Sequence, residues 1–370
     1  MSFLSGLYNL LVLGGPKDQP GGFDPSAVKK ILVVRNDNIG DVICTTPALD
    51  ALRKAFPNAH IAALVCTLAE EAIKGHRALD ELYVYPKAKH KKYGKIESLL
   101  RLARVQSLIR KQKYDLAISF RSSFSSSQAW LNYASKARWR VGPEARGKRK
   151  KWGFYYNIPV DWPPEGMHEV KRCFYMLKAL GLDMEPGELF VAIPPLSGEK
   201  VETFLEKQGF DKAVEPVIVN ITRWAYRPDR LWPSENYRDL VQQLISRGEK
   251  VVVTHAPADG EWVRELLAGI EPVPLVYWSR SLKEFTAMIK RASVFITAEG
   301  GPMHLAASVG TPQVILWGRT KTDVWSPWQA PYSIVVNGGN VSDIRLDQVL
   351  NALESLAPKV EKHMRNTDEL

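Results

Sequence analysis

Short β-branched runs alternate with amphipathic segments along most of this 370-residue chain, and this alternation restricts the fold more than any other feature. In the first half, strands are predicted at ILVVR (31–35), HIAALV (60–65) and DLAISF (115–120). Helical patterns lie between them at 41–56 and 96–112. Strands that alternate with helices are typical of a parallel sheet with right-handed crossovers. We therefore predict an α/β sandwich here.

The alternation weakens between about 153 and 200, where prolines cluster, and one helix is predicted near 167–180. It then restarts, which predicts a second α/β sandwich. Its expected strands are 216–221, 249–256, 293–297 and 312–318, and its expected helices are 234–248, with Ser234 as N-cap and Gly248 at the end, 259–269, 281–292 and 301–310. The predicted organisation is a leader (1–28), an N-terminal domain (29–185), a C-terminal domain (186–355) and a tail (356–370).

The net charge of +10 comes from the first half of the chain. Residues 1–185 carry 30 lysines and arginines against 17 aspartates and glutamates, whereas 186–370 carry 20 against 23. The excess concentrates in KAKHKKYGK (87–95) and KARWRVGPEARGKRKKW (136–152). Such runs fit a merely solvated face, or an anionic partner such as acidic lipid, a phosphorylated glycan or nucleic acid. Nucleic acid is disfavoured, because no nucleic-acid-binding motif accompanies the charge.

The N-terminal SFLSGLYNLLVLGG lacks the basic n-region and the cleavage site of a signal peptide. We expect either a loose or docked leader or a short amphipathic foot on a membrane surface. No run of about 18 apolar residues is present, so no segment is expected to cross a bilayer. Cys44, Cys66 and Cys173 lie in apolar contexts, which predicts small core residues in a reducing compartment.

Two adjacent glycines follow a predicted strand in TAEGGPMHLAASVGTP (297–312). Pro302 suits the first turn of a helix, so Gly300 and Gly301 lie at a helix N-terminus with exposed N–H groups. The carboxyl ends of parallel strands are also where open α/β sheets bind ligands. This predicts a cradle for a phosphate or diphosphate, with His304 one turn further along; the plain alternative is a tight turn with a buried histidine.

Polar loops follow the first strand of each predicted sheet. RNDNIGD (35–41) supplies two carboxylates and two amides, more than helix capping needs, and a carboxylate in a cleft is a candidate general base. TRWAYRPDR (222–230) supplies Thr222 and the arginines 223, 227 and 230, which could neutralise a diphosphate. Because no metal-ligand spacing occurs, we predict no metal and no cofactor.

The loops, in this order, resemble those of glycosyltransferase family 9, the bacterial ADP-heptose:lipopolysaccharide heptosyltransferases. Three stretches carry the resemblance, which spans most of 29–320: ILVVRNDNIGDVICTTPALDALRKAFPNAHIAALV, RLWPSENYRDLVQQLISRGEKVVVT and SLKEFTAMIKRASVFITAEGGPMHLAASVGTPQVILWG. It implies a GT-B fold, two Rossmann-like parallel-sheet domains facing a central cleft. It also implies an acceptor in the N-terminal domain, a nucleotide-sugar in the C-terminal domain, and inverting transfer without a metal.

The resemblance also implies roles for individual residues. Asp41 matches the family's catalytic base, and the positions that match donor-binding residues are Arg35, Asn38, Thr222, Arg230, Gly301 and His304. Glu299 stands where the family usually has aspartate, and its carboxylate is expected to contact the donor sugar. Lys148, Arg149 and Lys150 belong to the second basic run, which lies outside the resemblance. Their charge makes them the candidates for holding an anionic glycolipid or glycan acceptor at the inner leaflet of the cytoplasmic membrane.

Three other functions are weighed against ADP-heptose transfer to a lipopolysaccharide core. A relative with a different nucleotide-sugar donor, or a non-catalytic nucleotide-sugar-binding protein, would keep the same fold. A nucleotide-dependent oxidoreductase is disfavoured, because ILVVRNDNIGD lacks the G-x-G-x-x-G motif expected after its first strand.

Overall fold

A computed structural model of the chain describes residues 22–87, 93–223 and 230–368. Most of the predicted leader, and Arg227 with its neighbours, lie outside these residues. The chain divides into two compact units. Unit 1 comprises the residues up to Glu70 and Lys74–Gly187, and unit 2 comprises Glu71–Ile73 and the residues from Glu188 onward.

Unit 1 is built on a six-stranded, all-parallel sheet with the strand order β3-β2-β1-β4-β5-β6. Its strands are β1 (Lys30–Arg35), β2 (His60–Cys66), β3 (Glu81–Tyr85), β4 (Leu116–Ser119), β5 (Trp139–Pro143) and β6 (Ile158–Val160). The helices in this part of the chain are α1 (Ile39–Ile43), α2 (Thr46–Ala55), α3 (Glu70–Ile73), α4 (Lys95–Gln112), α5 (Ser126–Ala134) and α6 (Glu169–Lys178), with 3-10 turns at Pro25–Ala27 and Gly147–Tyr155.

Unit 2 repeats this plan with a parallel sheet of order β12-β11-β10-β7-β8-β9. Its strands are β7 (Val217–Ile221), β8 (Val251–His255), β9 (Leu275–Tyr277), β10 (Val294–Ala298), β11 (Gln313–Trp317) and β12 (Tyr332–Val336). Its helices are α7 (Pro195–Lys207), α8 (Ser234–Ser246), α9 (Gly260–Leu267), α10 (Leu282–Lys290), α11 (Gly301–Ser308), α12 (Thr322–Trp325) and α13 (Leu346–Asp368), with 3-10 turns at Pro257–Asp259 and Val341–Asp343.

The central strands are apolar because both of their faces are covered by helices. In β1, Leu32 and Val34 join the core of one sheet face, and the four residues from Ile31 to Val34 are almost fully buried. Val34 pairs in register with Leu64 of β2 and with Ser119 of β4. The carboxyl end of β1 therefore opens at the same sheet edge as its neighbours, where its polar loop begins.

The helix predicted over 41–56 is wrong as a single element, because the chain forms α1 and α2 with a break at Cys44–Thr45. Pro47 lies in the first turn of α2, where its missing N–H and its ring favour a helix start. The Thr45 hydroxyl donates to the Asp41 carbonyl across the break. The break leaves Asp41 in a short helix of its own.

The seven predicted strands are all present, with small shifts at their ends, but β3, β5, β6, β9 and β12 were not predicted. The proline-rich stretch 153–200 contains β6 and α6 and the start of α7, so it is not a simple linker. Ser234 is not the N-cap of its helix: it is the first helical residue and Pro233 precedes it, whereas Gly248 ends the helix at φ 86°. The boundary predicted at 355 falls inside α13.

The three cysteines are buried and free, as predicted. Within the described residues, no helix combines the length and the apolar character needed to cross a membrane.

Candidate active site

Arg35, the last residue of β1, is buried to 1% exposure and is surrounded by oxygen atoms. Its guanidinium donates to the Phe120 carbonyl, to Glu169 Oε1 at 2.6 Å and to Asp41 Oδ1 at 3.4 Å. Its Nε lies 3.5 Å from Asp37 Oδ2. A buried guanidinium needs this degree of pairing, since an unpaired buried charge is very costly. Three carboxylates thus share one arginine at the carboxyl edge of the sheet.

Asp37 is held on all sides. Arg121 Nη1 donates to its Oδ1 at 2.6 Å and Gln128 donates to its Oδ2. The Cys66 thiol donates to its backbone carbonyl. Because its carboxylate oxygens are already occupied, Asp37 is a structural partner of the loop and not a free base.

Asp41 is the more open of the two loop aspartates, with 22% of its side chain exposed. Its Oδ2 accepts from the Asn38 N–H at 3.2 Å, so the carboxylate closes the first turn of α1. Burial raises the pKa of Asp41 to about 6; nearby Arg35 lowers it, and the charges of Asp37 and Glu169 raise it further. A partly exposed carboxylate with such a pKa is suited to accept a proton near neutral pH.

Glu169 was not identified from the sequence. It is the first residue of α6 and is 2% exposed, and besides Arg35 it pairs with Arg172, one turn along the helix, at 3.5 Å. A lone glutamate at the start of a helix has no motif to mark it. Its position after His168, whose side chain caps the helix, was the only available signal, and that signal indicates a helix start alone.

Asn38 is the N-cap of α1 and its side chain is exposed at the same loop. Cys44 and Cys173 are fully buried in the core, and this burial raises the pKa of both thiols. These thiols therefore stay protonated, and we assign them no chemistry.

The glycine-rich loop of unit 2 forms the start of a helix, as predicted. Gly300 is the N-cap of α11 with φ 150° and ψ −160°, a backbone conformation essentially restricted to glycine. Gly301 begins the helix, and Pro302 lies in its first turn. This N-terminus carries a partial positive charge and unpaired N–H groups, the usual elements of an anion site.

Glu299 precedes this helix and is 1% exposed. Its N–H donates to the Leu316 carbonyl, which extends the β10–β11 ladder by one residue. Its Oε1 lies 3.1 Å from Arg230 Nε, and its Oε2 accepts from the Thr320 hydroxyl. The sequence placed Arg230 and Glu299 at one site, and the structure joins them in an ion pair.

Arg223 and Arg230 differ in their partners. The Arg223 backbone N–H and Nε both donate to the Asp259 carboxylate, at 3.0 and 3.2 Å, and its guanidinium lies over the Trp262 ring. Arg230 instead lies at the start of α11, where its Nη1 donates to the Glu299 carbonyl. Of these two, Arg230 is therefore the one adjacent to the helix N-terminus.

Thr222 lies just after β7 and is partly exposed, with its hydroxyl 3.5 Å from the buried Asn220 amide oxygen. Asn220 links three strands, because it also contacts Thr297 of β10 and Thr254 of β8. His304, the fourth residue of α11, is 3% exposed and lies edge-on to Trp325 with 6.2 Å between ring centroids. This burial leaves little of the imidazole surface for a ligand.

The predicted acceptor residues lie in the 3-10 segment Gly147–Tyr155 of unit 1. Lys148, Arg149 and Lys150 are exposed, and Arg149 Nη1 donates to the Phe124 carbonyl at 2.6 Å. Aromatic residues from the same segment and from α5 pack against one another: Tyr133, Trp152, Phe154 and Tyr155. These contacts anchor the segment that carries the cations to α5.

A cavity of about 600 Å³ lies in unit 2 along α9 and the edge strand β9. Its lining is mainly apolar and includes His255 at the end of β8 and Trp278 just after β9. Both residues lie at the carboxyl ends of their strands. Over the described part of the chain, no group of three or more histidine, cysteine, aspartate or glutamate side chains could hold a metal ion.

Residues 102–349 match the model of glycosyltransferase family 9 (heptosyltransferase). The chain belongs to this family. Its relatives include lipopolysaccharide heptosyltransferase 3 of Escherichia coli, which is 26% identical over 296 residues, or 78% of this chain and 83% of that protein. The resemblance seen in the sequence is confirmed.

Solved structures show the same fold. A family 9 glycosyl transferase from Veillonella parvula superposes with a TM-score of 0.76 at 24% identity, covering 90% of this chain and 97% of that one. The E. coli heptosyltransferase WaaC, solved with ADP, gives 0.71 at 20% identity, covering 88% and 99%. This family 9 chain thus has the α/β GT-B fold, with two Rossmann-like parallel-sheet units, and it is a glycosyltransferase.

Proposed function

We propose that this family 9 enzyme transfers a heptose from ADP-heptose, with inversion, onto a lipopolysaccharide core or a related surface glycan. The observation that carries the proposal is Asp41, a partly exposed carboxylate with a pKa of about 6 in the loop after β1. The relatives support the sugar and the acceptor, because the matching proteins include lipopolysaccharide heptosyltransferases. The E. coli structure with ADP supports the nucleotide.

Unit 2 is proposed to bind the donor. Its diphosphate would accept hydrogen bonds from the N-terminus of α11 at Gly300 and Gly301, with Arg230 and Thr222 beside it. His304 is almost fully buried and lies edge-on to Trp325, so it is proposed mainly to pack the helix and to offer the ligand little of its ring. The nucleobase is assigned to the apolar cavity next to Trp278, whose half-exposed ring offers a stacking surface.

Unit 1 is proposed to bind the acceptor, with Lys148, Arg149 and Lys150 pairing with its phosphate or carboxylate groups. Asn38, exposed beside Asp41, is available to either substrate. Arg35 was expected to contact the donor. We propose a positioning role instead, because its guanidinium is buried to 1% exposure and engaged by Glu169, Asp41 and a carbonyl.

The proposed reaction is a single displacement. Asp41 Oδ accepts the proton of the acceptor hydroxyl while that oxygen forms a bond to the anomeric carbon of the heptose. The bond from this carbon to the diphosphate oxygen breaks on the opposite face, and the electron pair leaves with ADP. Backbone N–H groups of α11 and the Arg230 guanidinium stabilise the growing negative charge. These fixed donors supply the stabilisation that a metal would give, so we propose metal-independent catalysis.

The proposed partners are the nucleotide-sugar, the anionic glycolipid or glycan, and the inner leaflet of the cytoplasmic membrane, with no role for nucleic acid. On this proposal the enzyme is cytoplasmic and peripheral to that membrane. The second candidate is a non-catalytic nucleotide-sugar-binding protein, favoured by Glu299: this carboxylate replaces the expected aspartate, forms an ion pair with Arg230 and accepts from the Thr320 hydroxyl.

A nucleotide screen followed by a transfer assay tests the proposal. Thermal unfolding is measured with ADP, UDP, GDP and TDP, each with Mg²⁺ and with EDTA, and we expect an upward shift with ADP that EDTA leaves unchanged. Transfer from ADP-heptose to heptose-deficient lipopolysaccharide is then followed, with the anomeric configuration of the product read by NMR. A larger shift with another nucleotide would replace the donor. ADP binding without transfer would favour the non-catalytic candidate.

A further inference from the structure

Helix α4 (Lys95–Gln112) of unit 1 departs from the usual burial pattern, in which apolar side chains are buried and polar ones are exposed. Large apolar side chains face solvent: Ile96 is 77% exposed, Leu99 63% and Leu100 66%. In contrast, the polar Ser98 and Gln106 are buried. Solvent-exposed apolar side chains are ordinary when scattered, but a contiguous group on one helix face indicates a binding surface.

The helix is held by its other face, so the exposed apolar group is not needed for folding. Leu102, Val105 and Ile109 pack on the core of unit 1 beside β3. On a helix, residues 96, 99 and 100 follow the i, i+3, i+4 spacing and share a face. That face lies on the side opposite 102, 105 and 109. The exposed apolar residues therefore serve something outside unit 1.

Basic residues flank this apolar group. Arg104 and Lys111 are exposed on α4, four and eleven residues after Leu100, and therefore lie on its side of the helix. The sequence 95–112 has five lysines and arginines and one acidic residue, Glu97, which pairs with Arg101 at 2.8 Å. The sequence just before the helix, KAKHKKYG (87–94), adds further positive charge. An apolar helix face with a cationic border matches the chemistry of an anionic lipid bilayer.

We propose that Ile96, Leu99 and Leu100 insert into the headgroup–acyl boundary of an anionic membrane while Arg104 and Lys111 contact lipid phosphates. These five residues form the lipid-facing patch. A second copy of the chain is a poorer occupant, because two such patches would bring like charges together. The inference rests on the proposed function only in its choice of membrane, since a glycolipid acceptor lies in a bilayer.

Vesicle sedimentation of the full chain tests the patch without donor or acceptor. We expect binding to phosphatidylglycerol–phosphatidylethanolamine vesicles and little binding to phosphatidylcholine. The double variant Ile96→Ser/Leu100→Ser should bind the anionic vesicles about tenfold more weakly or worse, and Arg104→Gln about fivefold more weakly. The matched controls, Leu196→Ser and Lys200→Gln, change exposed residues of α7 in unit 2 and should bind like the parent.

A fluorescent probe attached within the patch reports its insertion directly, even if other parts of the chain also bind the vesicle. Leu100→Cys can be labelled selectively with an environment-sensitive dye, because the three native cysteines are buried. Anionic vesicles should shift its emission to the blue, whereas the dye at Leu196→Cys should not respond. An unshifted probe, parent-like binding of the serine variant, or a change from dimer to monomer in that variant would each overturn the proposal.

The two proposals fail separately. If the parent chain binds the vesicles but does not transfer heptose to a detergent-solubilised acceptor, the proposed function alone is contradicted. Normal transfer to that acceptor, without any vesicle binding, would count against the lipid-facing patch alone.

Discussion

Glu169 Oε1 lies 2.6 Å from Arg35 Nη2, although 134 residues separate the two along the chain. The same Nη2 lies 3.4 Å from Asp41. The guanidinium is therefore drawn towards Glu169, and the longer contact leaves Asp41 less neutralised than a close ion pair would. This unequal division is the physical basis for treating Asp41 as the base and Glu169 as the residue that positions Arg35.

Replacing the base should abolish transfer while leaving the fold intact. We expect Asp41→Asn to lower kcat by about a thousandfold or more, because the acceptor hydroxyl loses its proton acceptor and the oriented geometry of attack. The measurement is the initial rate of heptose transfer, with the ADP-induced thermal shift as a check on donor binding. Asp50→Asn, which changes an aspartate of α2 that pairs with Arg77, is the matched control. Near-parental turnover of Asp41→Asn would remove this residue from the mechanism.

Activity should fall in acid with the titration of Asp41. Only the ionised carboxylate accepts a proton, so kcat/KM should decline below a pH of about 6 with a slope approaching one. The charge of Glu169 helps to raise this pKa, so Glu169→Gln should move the acidic limb to lower pH. Initial rates from pH 4.5 to 9 give both profiles. A limb that stays in place in the glutamine variant would show that Glu169 has only a structural role.

The raised pKa of Asp41 also predicts a cost in stability. Relative to an ordinary value near 3.8, a folded-state pKa of about 6 means that folding disfavours the ionised form. The cost is fully present above pH 6 and vanishes below about pH 4. Asp41→Asn should therefore raise the free energy of unfolding at pH 8, by up to about 3 kcal/mol. Urea unfolding at pH 8 and pH 4 measures the difference, and a less stable variant at pH 8 would mean that the Arg35 pairing outweighs burial.

Gly300 should not tolerate a side chain. Its φ of 150° with ψ of −160° is strained for any other residue, so Gly300→Ala should destabilise unit 2 by about 1–3 kcal/mol and weaken ADP binding. Gly198→Ala is the control: Gly198 lies in α7 with nothing near its added Cβ, and alanine should be neutral or slightly stabilising there. Thermal unfolding with and without ADP measures both effects. Equal behaviour of the two variants would count against the cradle.

The two described arginines of the β7 loop should differ in importance. Arg230→Gln should weaken ADP binding by about tenfold or more, because a charge-assisted contact to the diphosphate is lost. Arg223→Gln should have a much smaller effect, since Arg223 lies against Asp259 and Trp262, whereas Arg230 contacts the residue just before the N-terminus of α11. Calorimetric titration of each variant with ADP compares them. The reverse order would assign the diphosphate to Arg223.

The central strands of both sheets could be predicted because they are buried on both faces and read as continuous β-branched runs. The four edge strands β3, β6, β9 and β12 could not be predicted, and neither could the interior strand β5. In β3 (ELYVY) only Tyr83 is buried, and β9 has three residues, so neither leaves a strong periodic signal. The break after α1 depended on Pro47, which was present in the sequence but was read as part of a longer helix.

The site loops could be predicted because they follow predicted strands, and parallel strands end at a common edge. The contacts within them could not. Arg35 was expected at the donor. Its burial depends on Glu169, which belongs to a helix that follows all six strands of the sheet in the sequence. His304 was an open choice between ligand and core, and its 3% exposure favours the core. Pairings of this kind depend on tertiary packing and leave no local pattern.

Glu299 and a bound diphosphate would both be anionic partners of the Arg230 guanidinium. The Arg230 guanidinium is paired with the Glu299 carboxylate, so on the proposed function a diphosphate would replace one anion by another instead of meeting a free cation. Breaking the ion pair between Arg230 and Glu299 would offset part of the attraction between Arg230 and the diphosphate. The affinity for the diphosphate would therefore be lower than the charge of Arg230 alone would give. On the proposed function, Glu299 would compete with bound ADP for Arg230 and so favour its release. Shortening or neutralising Glu299 would then slow product release and tighten the retention of ADP.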